Sequence, residues 1–293
     1  MARFGRVVTA MVTPFTEDLS LDVDRAQELA GWLVDHGSDG LVVTGSTGES
    51  ATLTDQEKVT MWRAVSEAVG ERATVIAGTG TYDTAHSIHL SEEAEKAGAD
   101  GLLIVTPYYN KPPQRGLVEH FTRVAQSTGL PNIVYNIPGR TGTRIAHETL
   151  LRLGEVDNIV AVKDSTGDFE ALARLIAEAP DGFEVYTGDD WATFGSVCLG
   201  ASGVISVAAH VAGERMGQMI ALIEGGDLAS ARKINSELLP VFDAMFITSN
   251  PIPLKKAMEL IGQPVGRPRL PLLEANEDET TRIEVALKES GVL

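Results

Sequence analysis

The feature that most constrains the fold is a repeat of short apolar runs, each followed by a polar or glycine-rich loop and a segment with helical periodicity. The starts of eight such runs lie roughly 20–35 residues apart, the spacing of repeated βα units. The predicted strands are Val7–Met11, Leu41–Thr44, Thr74–Ala77, Gly101–Val105, Asn132–Tyr135, Ile159–Lys163, Phe183–Thr187 and Gly203–Val207. Apolar strands that alternate with amphipathic helices favour a parallel sheet covered on both faces. Eight units predict a closed (β/α)₈ TIM barrel; a doubly wound open sheet is the alternative, because periodicity does not reveal closure.

The strand signal stops at the Gly225-Gly226 pair. We therefore predict a barrel domain over residues 1–226 and a C-terminal helical region over 227–293. Three segments of this region have helical character: Leu228–Phe246, Pro253–Ile261 and Glu274–Ser290. We interpret the region as an appendage of the barrel rather than a second catalytic domain.

The charge balance restricts the partners that are expected. The 293 residues include 41 Asp and Glu against 24 Lys and Arg, a net charge of −17. A nucleic-acid-binding surface needs clustered basic residues, which this sequence lacks, so no nucleic-acid partner is expected. The first residues lack the apolar core of a secretion signal, and no apolar run reaches the ~18 residues that span a bilayer. The sequence therefore predicts a cytoplasmic protein without a membrane partner.

Lys163 is the first candidate for chemistry. It ends the apolar run Ile159–Val162 and precedes a polar loop. In a barrel of this kind the active site forms where the strands end and the βα loops begin. Desolvation of a lysine at such a position disfavours its ammonium form. A neutral amine attacks carbonyl carbons to form a Schiff base. The alternative is a strand-end lysine that extends into solvent or pairs with Asp164.

Tyr135 and Arg140 follow the preceding strand. Tyr135 ends that strand, and neighbouring strands lie about 5 Å apart, so its phenol could relay protons near Lys163. The alternative is a tyrosine that only packs at the barrel rim. Arg140 stands in a loop fixed by Pro138 and Gly139, where a guanidinium suits bidentate capture of a carboxylate. A surface arginine without a ligand is its alternative reading.

The loop Gly45–Ser50 follows the second strand. Its hydroxyls and backbone N–H groups suit an anionic oxygen. It lacks the lysine and the spacing of a nucleotide-binding P-loop, so a small carboxylate fits better than ATP. No dinucleotide fingerprint follows the first strand, and His86 and His89 have no third ligand at metal-site spacing. We therefore expect neither a bound cofactor nor a metal.

Several segments together carry a resemblance to a known family. They are Gly45–Ser50, Thr106–Asn110, Tyr135–Pro138, Val162–Asp164, Gly188–Asp190, Gly203–Ser206 and Asn250–Lys255. In this order they resemble the dihydrodipicolinate synthase / N-acetylneuraminate lyase family over nearly the whole chain. The resemblance implies a (β/α)₈ barrel with a C-terminal helical region, usually assembled as a homotetramer.

The resemblance also implies roles for individual residues. Lys163 forms an imine with pyruvate, and the resemblance implies no cofactor besides this covalently bound substrate. Tyr135 shuttles protons, together with Ser46 and with Tyr109 contributed across a subunit interface. The residues implied in substrate binding are Thr47, for the pyruvate carboxylate, and Gly188, Ile205 and Arg140.

Arg140 and the Tyr108-Tyr109 pair favour one branch of the family. That branch condenses pyruvate with L-aspartate-4-semialdehyde in lysine (diaminopimelate) biosynthesis and uses an arginine at this position for the semialdehyde carboxylate. A related class I aldolase, acting on N-acetylneuraminate or a 2-keto-3-deoxy sugar acid, is one alternative. A non-enzymatic sugar-acid-binding or regulatory protein is the other.

Four residues bear on regulation. Asp55, Lys58, Tyr82 and His86 stand where lysine-inhibited members of the family tend to carry histidine, asparagine and acidic residues. We therefore expect weak or absent inhibition by lysine.

Overall fold

The computed structural model describes residues 2–293 and has a closed barrel of eight parallel strands. The strands are β1 (Val7–Ala10), β2 (Gly40–Val43), β3 (Thr74–Gly78), β4 (Gly101–Val105), β5 (Asn132–Asn136), β6 (Ile159–Asp164), β7 (Glu184–Thr187) and β8 (Gly203–Ser206). Each strand pairs with the next, and β8 pairs with β1 through the register Val8–Ile205. That last pairing confirms the TIM barrel and excludes the open sheet.

The strands are buried on both faces because the barrel interior and the helical layer both exclude water. Inward-facing side chains form a small core that runs through every strand and includes Val8, Val42, Ile76, Leu103, Ile133, Ala161, Tyr186 and Ile205. The alternate strand residues face outward and join the larger core beneath the helices. Side chains alternate between the two faces with a period of two, which explains why the strand sequences are almost continuously apolar.

Twelve helices are present within residues 2–293. They are α1 (Val23–Asp35), α2 (Asp55–Val69), α3 (Thr84–Lys96), α4 (Gln114–Ala125), α5 (Pro138–Thr141), α6 (His147–Gly154), α7 (Phe169–Glu178), α8 (Thr193–Leu199), α9 (Ala209–Glu224), α10 (Leu228–Ala244), α11 (Ile252–Leu260) and α12 (Glu277–Glu289). Helix α2 begins after Thr54, whose side chain and that of Glu57 form a capping box. No helix within 2–293 is long and apolar enough to cross a membrane.

The C-terminal helices pack on one another and on α9, and the connection between α11 and α12 returns to the barrel. Arg269, in that connection, forms an ion pair with Glu57 of α2, with 2.5 Å between Nη2 and Oε1. Helix α12 begins three residues later than the sequence segment Glu274–Ser290 suggests, because Asn276 caps it and accepts from the backbone of Glu279. The C-terminal region therefore contacts the end of the barrel where the loop after β2 lies.

Candidate active site

Lys163 lies inside the carboxyl end of the barrel. It shares the inward face of β6 with Ala161, and its residue is only 5% exposed. Across the β5–β6 pairing it stands opposite Tyr135, which is also buried. The Lys163 amine lies 4.3 Å from the centroid of the Tyr135 ring. Strand pairing therefore brings the candidate nucleophile and the candidate proton carrier into direct contact.

No carboxylate within residues 2–293 comes within 4.0 Å of the Lys163 amine, and the amine makes no hydrogen bond to these residues. Asp164, the alternative ion-pair partner, instead accepts from Asn136 at 3.0 Å and from the Thr166 hydroxyl at 2.6 Å. Burial raises the pKa of Asp164, and these hydrogen bonds oppose the shift. The structure thus leaves the Lys163 amine without a fixed partner.

Two further carboxyl groups follow β7. Burial raises the pKa of Asp189 to about 6, and the charge of Lys163 acts in the opposite direction. Asp190 is fully buried and accepts from Ser206 at 2.5 Å and from the backbone of Ala208 at 2.9 Å. Burial also raises the pKa of Asp190, so both carboxyl groups on the β7 and β8 side of Lys163 hold their protons more tightly than in water.

Gly188 makes room for the lysine chain. A Cβ at this position would lie 2.7 Å from Lys163 Cε and 2.1 Å from the Ser165 hydroxyl oxygen. Any side chain here would therefore displace Lys163. Ile205 is fully buried on the inner face of β8. Both backbones lie on the β7–β8 side of the barrel, and the resemblance implies both residues in substrate binding.

The loop Gly45–Ser50 carries the two candidate hydroxyls. Ser46 is half-buried and lines a cavity, whereas Thr47 is buried. The Thr47 oxygen accepts a hydrogen bond of 2.9 Å from the side-chain amide of Asn250. A hydroxyl has one proton to donate, and because Asn250 supplies the donor of this bond, the Thr47 proton remains free for an anionic ligand.

The cavity has a volume of about 290 Å³ and opens at the carboxyl end of the strands. Its lining includes Ser46, Tyr108, Arg140 and Asn250. Lys163, Tyr135 and Thr47 are not part of that lining. However, Val105, which lines the cavity, is paired with Tyr135 across β4 and β5. The cavity therefore reaches the strand layer that contains Tyr135 and Lys163.

Arg140 and Tyr109 occupy different positions relative to this cavity. The Arg140 guanidinium lies at its wall and donates to the backbone oxygen of Asn250 at 3.3 Å. Tyr109 is 93% exposed, with a left-handed backbone at a φ of 73°. Its side chain is therefore almost entirely free of packing by residues 2–293. Tyr108 instead lines the cavity and makes an edge-to-face contact with Tyr82, at 5.3 Å between centroids.

The model of the dihydrodipicolinate synthetase family matches residues 3–290. The chain belongs to this family. It is 53% identical to 4-hydroxy-tetrahydrodipicolinate synthase of Moorella thermoacetica, covering 99% of this chain and all of that one. The structure of the Cyanidioschyzon merolae synthase with lysine bound superposes with a TM-score of 0.98 at 40% identity over both full chains. The Acinetobacter baumannii synthase, complexed with pyruvate, superposes with a TM-score of 0.96 at 36% identity, over 99% of this chain and all of that one.

The family predicted from the sequence is thus confirmed. In this member of the dihydrodipicolinate synthetase family, the structure adds contributors that were not predicted. Asn250 contacts both Thr47 and Arg140, and its side-chain carbonyl oxygen is buried without a partner among residues 2–293. Lys255 and Glu49 form a buried ion pair beneath the same loop. The sequence places them in two matching segments, but nothing in it indicates that the segments meet.

Proposed function

We propose that this protein is a 4-hydroxy-tetrahydrodipicolinate synthase, a class I aldolase that condenses pyruvate with L-aspartate-4-semialdehyde through an imine on Lys163. The observation that carries the proposal is the buried Lys163 amine, which has a tyrosine ring against it and no carboxylate partner within residues 2–293. The names of relatives at 46–53% identity bear out this activity, and with it a place in lysine biosynthesis.

The chemistry begins at the amine. Neutral Lys163 attacks the carbonyl carbon of pyruvate, and the oxygen leaves as water after accepting two protons, which gives the imine. Protonation of the imine nitrogen and removal of a proton from the methyl carbon then give an enamine. Its carbon attacks the aldehyde carbon of the second substrate, and the aldehyde oxygen takes up a proton. We assign these proton transfers to the Tyr135 phenol, whose ring lies beside the amine.

Two groups of residues seat the carboxylates. The free proton of Thr47, with the backbones of Gly188 and Ile205, seats the carboxylate of pyruvate. Arg140 at the cavity wall captures that of the semialdehyde, where a guanidinium offers paired donors. Ser46 lines the same cavity and continues the proton relay from Tyr135 towards solvent.

The position of Tyr109 implies that the active site is complete only in an assembly of subunits. Because its ring is exposed in a single chain, we assign it to the site of a neighbouring subunit in a homotetramer. Dissociated subunits should then keep their fold and lose turnover. The cytoplasmic location expected from the sequence remains a prediction.

Borohydride reduction in the presence of pyruvate, followed by mass spectrometry of the peptides, tests the central step. A stable adduct on Lys163 is expected, and a protein that carries no adduct would overturn the proposal.

Turnover with pyruvate and L-aspartate-4-semialdehyde, compared with turnover of N-acetylneuraminate and 2-keto-3-deoxy sugar acids, tests which substrate the enzyme uses. Arg140→Ala should abolish semialdehyde turnover while the pyruvate adduct still forms.

A further inference from the structure

Resting on this proposed function, we propose that Lys255 is a positioning residue for catalysis. Its ion pair with Glu49 holds the loop Gly45–Ser50 in the shape that binds the carboxylate of pyruvate. Lys255 belongs to α11, in the C-terminal region, and touches none of the reacting atoms.

The Lys255 ammonium lies among three oxygen atoms. Its nitrogen lies 2.7 Å from the carboxylate of Glu49, and the two side chains are 4% and 2% exposed. It also donates to the backbone oxygens of Thr13 at 3.1 Å and Arg267 at 3.2 Å. The ammonium therefore has one carboxylate and two backbone carbonyl oxygens around it. Lys255 thereby joins the segment after β1, the loop after β2 and the connection before α12.

The same loop is fixed at successive residues. Asn250 donates to the Thr47 hydroxyl, and the hydroxyl of Thr13 donates to the carbonyl of Gly48 at 2.6 Å. The second carboxylate oxygen of Glu49 accepts from the backbone of Arg269 at 2.9 Å. Residues 47 to 49 are therefore each held by a contact from outside the loop, and the contacts of Thr47 and Glu49 come from the C-terminal region.

The backbone of Glu49 shows why such support is needed. Its φ is 55°, in the left-handed region that residues with a side chain rarely adopt. Conformations of this kind persist only where the surrounding contacts fix them. Because Glu49 and Ser46 line the same cavity, a change of conformation at Glu49 changes the part of the loop that faces the substrate.

The charge of Lys255 has a second effect on the cavity. Both proposed substrates carry a carboxylate, and Glu49 would present another one to them if it were unpaired. A like charge in a poorly solvated site opposes the binding of an anion. Lys255 neutralises Glu49, so that the seat for pyruvate can be formed by hydrogen-bond donors. Removal of Lys255 alone is therefore worse for pyruvate than removal of both charges.

The experiment compares Lys255→Met, Glu49→Gln and the double variant in the full-length protein. Lys255→Met should raise the KM for pyruvate about tenfold, as for residues coupled through direct contacts, and the double variant should recover part of that loss. The pyruvate concentration that half-saturates borohydride trapping on Lys163 should rise in parallel. A purely structural lysine would lower the fraction of active enzyme and leave KM unchanged.

Glu237→Gln is the matched control. It removes the ion pair between Arg215 and Glu237, which joins α9 to α10 away from the loop. The KM of this variant for pyruvate should equal that of the protein without a substitution. A control variant with the same rise in KM as Lys255→Met would overturn the inference.

Two results would contradict the role of Lys255. One is an unchanged KM for pyruvate in folded Lys255→Met; the other is a double variant no better than the single one. If circular dichroism shows that Lys255→Met does not fold, the Glu49→Gln variant is used instead. A raised KM for pyruvate in this variant supports the positioning role of Lys255, and an unchanged KM contradicts it. Failure of the unmodified protein to form the pyruvate adduct would instead refute the proposed function, so the two failures are distinguishable.

Discussion

Two buried lysines of this fold have different surroundings and different proposed roles. Lys163 and Lys255 are each 5% exposed, and their amines lie 4.3 and 4.4 Å from the centroids of Tyr135 and Phe15. They differ in their polar partners. Lys255 has a carboxylate and two carbonyl oxygens, whereas Lys163 has neither within residues 2–293. Burial and an aromatic contact are therefore not sufficient to identify a nucleophile.

The difference has an electrostatic cause. Burial lowers the pKa of Lys255, and the Glu49 carboxylate opposes that shift. The carboxylate and the two carbonyl oxygens around Lys255 also stabilise its ammonium form. The polar partners, and not the depth of burial, distinguish Lys163, the proposed nucleophile, from Lys255.

The largest expected effect comes from removal of Lys163, the proposed nucleophile. Lys163→Ala should lower kcat by about 10⁴-fold or more, because the covalent route is lost. Trapping with pyruvate and borohydride should then give no adduct, on Lys255 or elsewhere. An adduct that moves to Lys255 would show that the two environments differ less than the contacts indicate.

Tyr135→Phe leaves Lys163 beside a phenyl ring, as Phe15 lies beside Lys255, and removes only the hydroxyl. We expect kcat to fall by about 10²- to 10⁴-fold, the usual contribution of a positioned proton donor. Steady-state kinetics measures the loss. Tyr186→Phe is the control, because Tyr186 is also paired with Lys163 but donates its hydroxyl proton to Glu184 at 2.8 Å. Equal losses in both variants would point to packing rather than proton transfer.

Lys255→Met tests the structural lysine by stability. The variant leaves Glu49 buried and unpaired, which should lower the free energy of unfolding by about 3–5 kcal/mol. The double variant with Glu49→Gln should be closer to the unmodified protein, because no isolated charge remains. Urea unfolding at fixed protein concentration measures both. If Lys255→Met is as stable as the protein without a substitution, water must reach the ion pair of Lys255 with Glu49, and the prediction is wrong.

Asp189 tests the acidic side of the Lys163 environment. Its pKa is raised from 3.8 to about 6, so the folded state holds the proton more tightly than the unfolded chain does. The stabilisation from that proton is complete below pH 3.8 and is lost as the pH rises towards 6. Asp189→Asn should therefore gain stability relative to the parent over this interval. Urea unfolding at pH 4.5 and at pH 8 measures the gain, and a constant difference would contradict it.

A third buried lysine gives the smallest expected effect. Lys58 lies 3.7 Å from Asp55, which also accepts from His86 at 3.0 Å, so the charges at this surface are paired within the chain. Burial lowers the pKa of Lys58. Added lysine should inhibit turnover only weakly, although the Cyanidioschyzon merolae relative was solved with lysine bound. Strong inhibition at sub-millimolar lysine in a titration would reverse this expectation.

The eight strands were predictable because each carries its own local signal. A short apolar run between polar loops identifies a buried parallel strand, and the strand ends in the structure differ from the predicted ends by at most one residue. Lys163 and Tyr135 were accessible for the same reason, since both stand at strand ends. The order of the motifs then identified the family, and with it the residues of the loop after β2.

Other features needed the folded chain. Closure of the barrel depends on the pairing of β1 with β8, which no local pattern encodes. Asn250 reaches Thr47 from 203 residues away, and Lys255 reaches Glu49 from the same distant segment. Sequence alone therefore determined the strands and the candidate reactive groups, because these follow from local patterning and side-chain chemistry. Tertiary structure decided which lysine is held and which is free, because that depends on partners from distant parts of the chain.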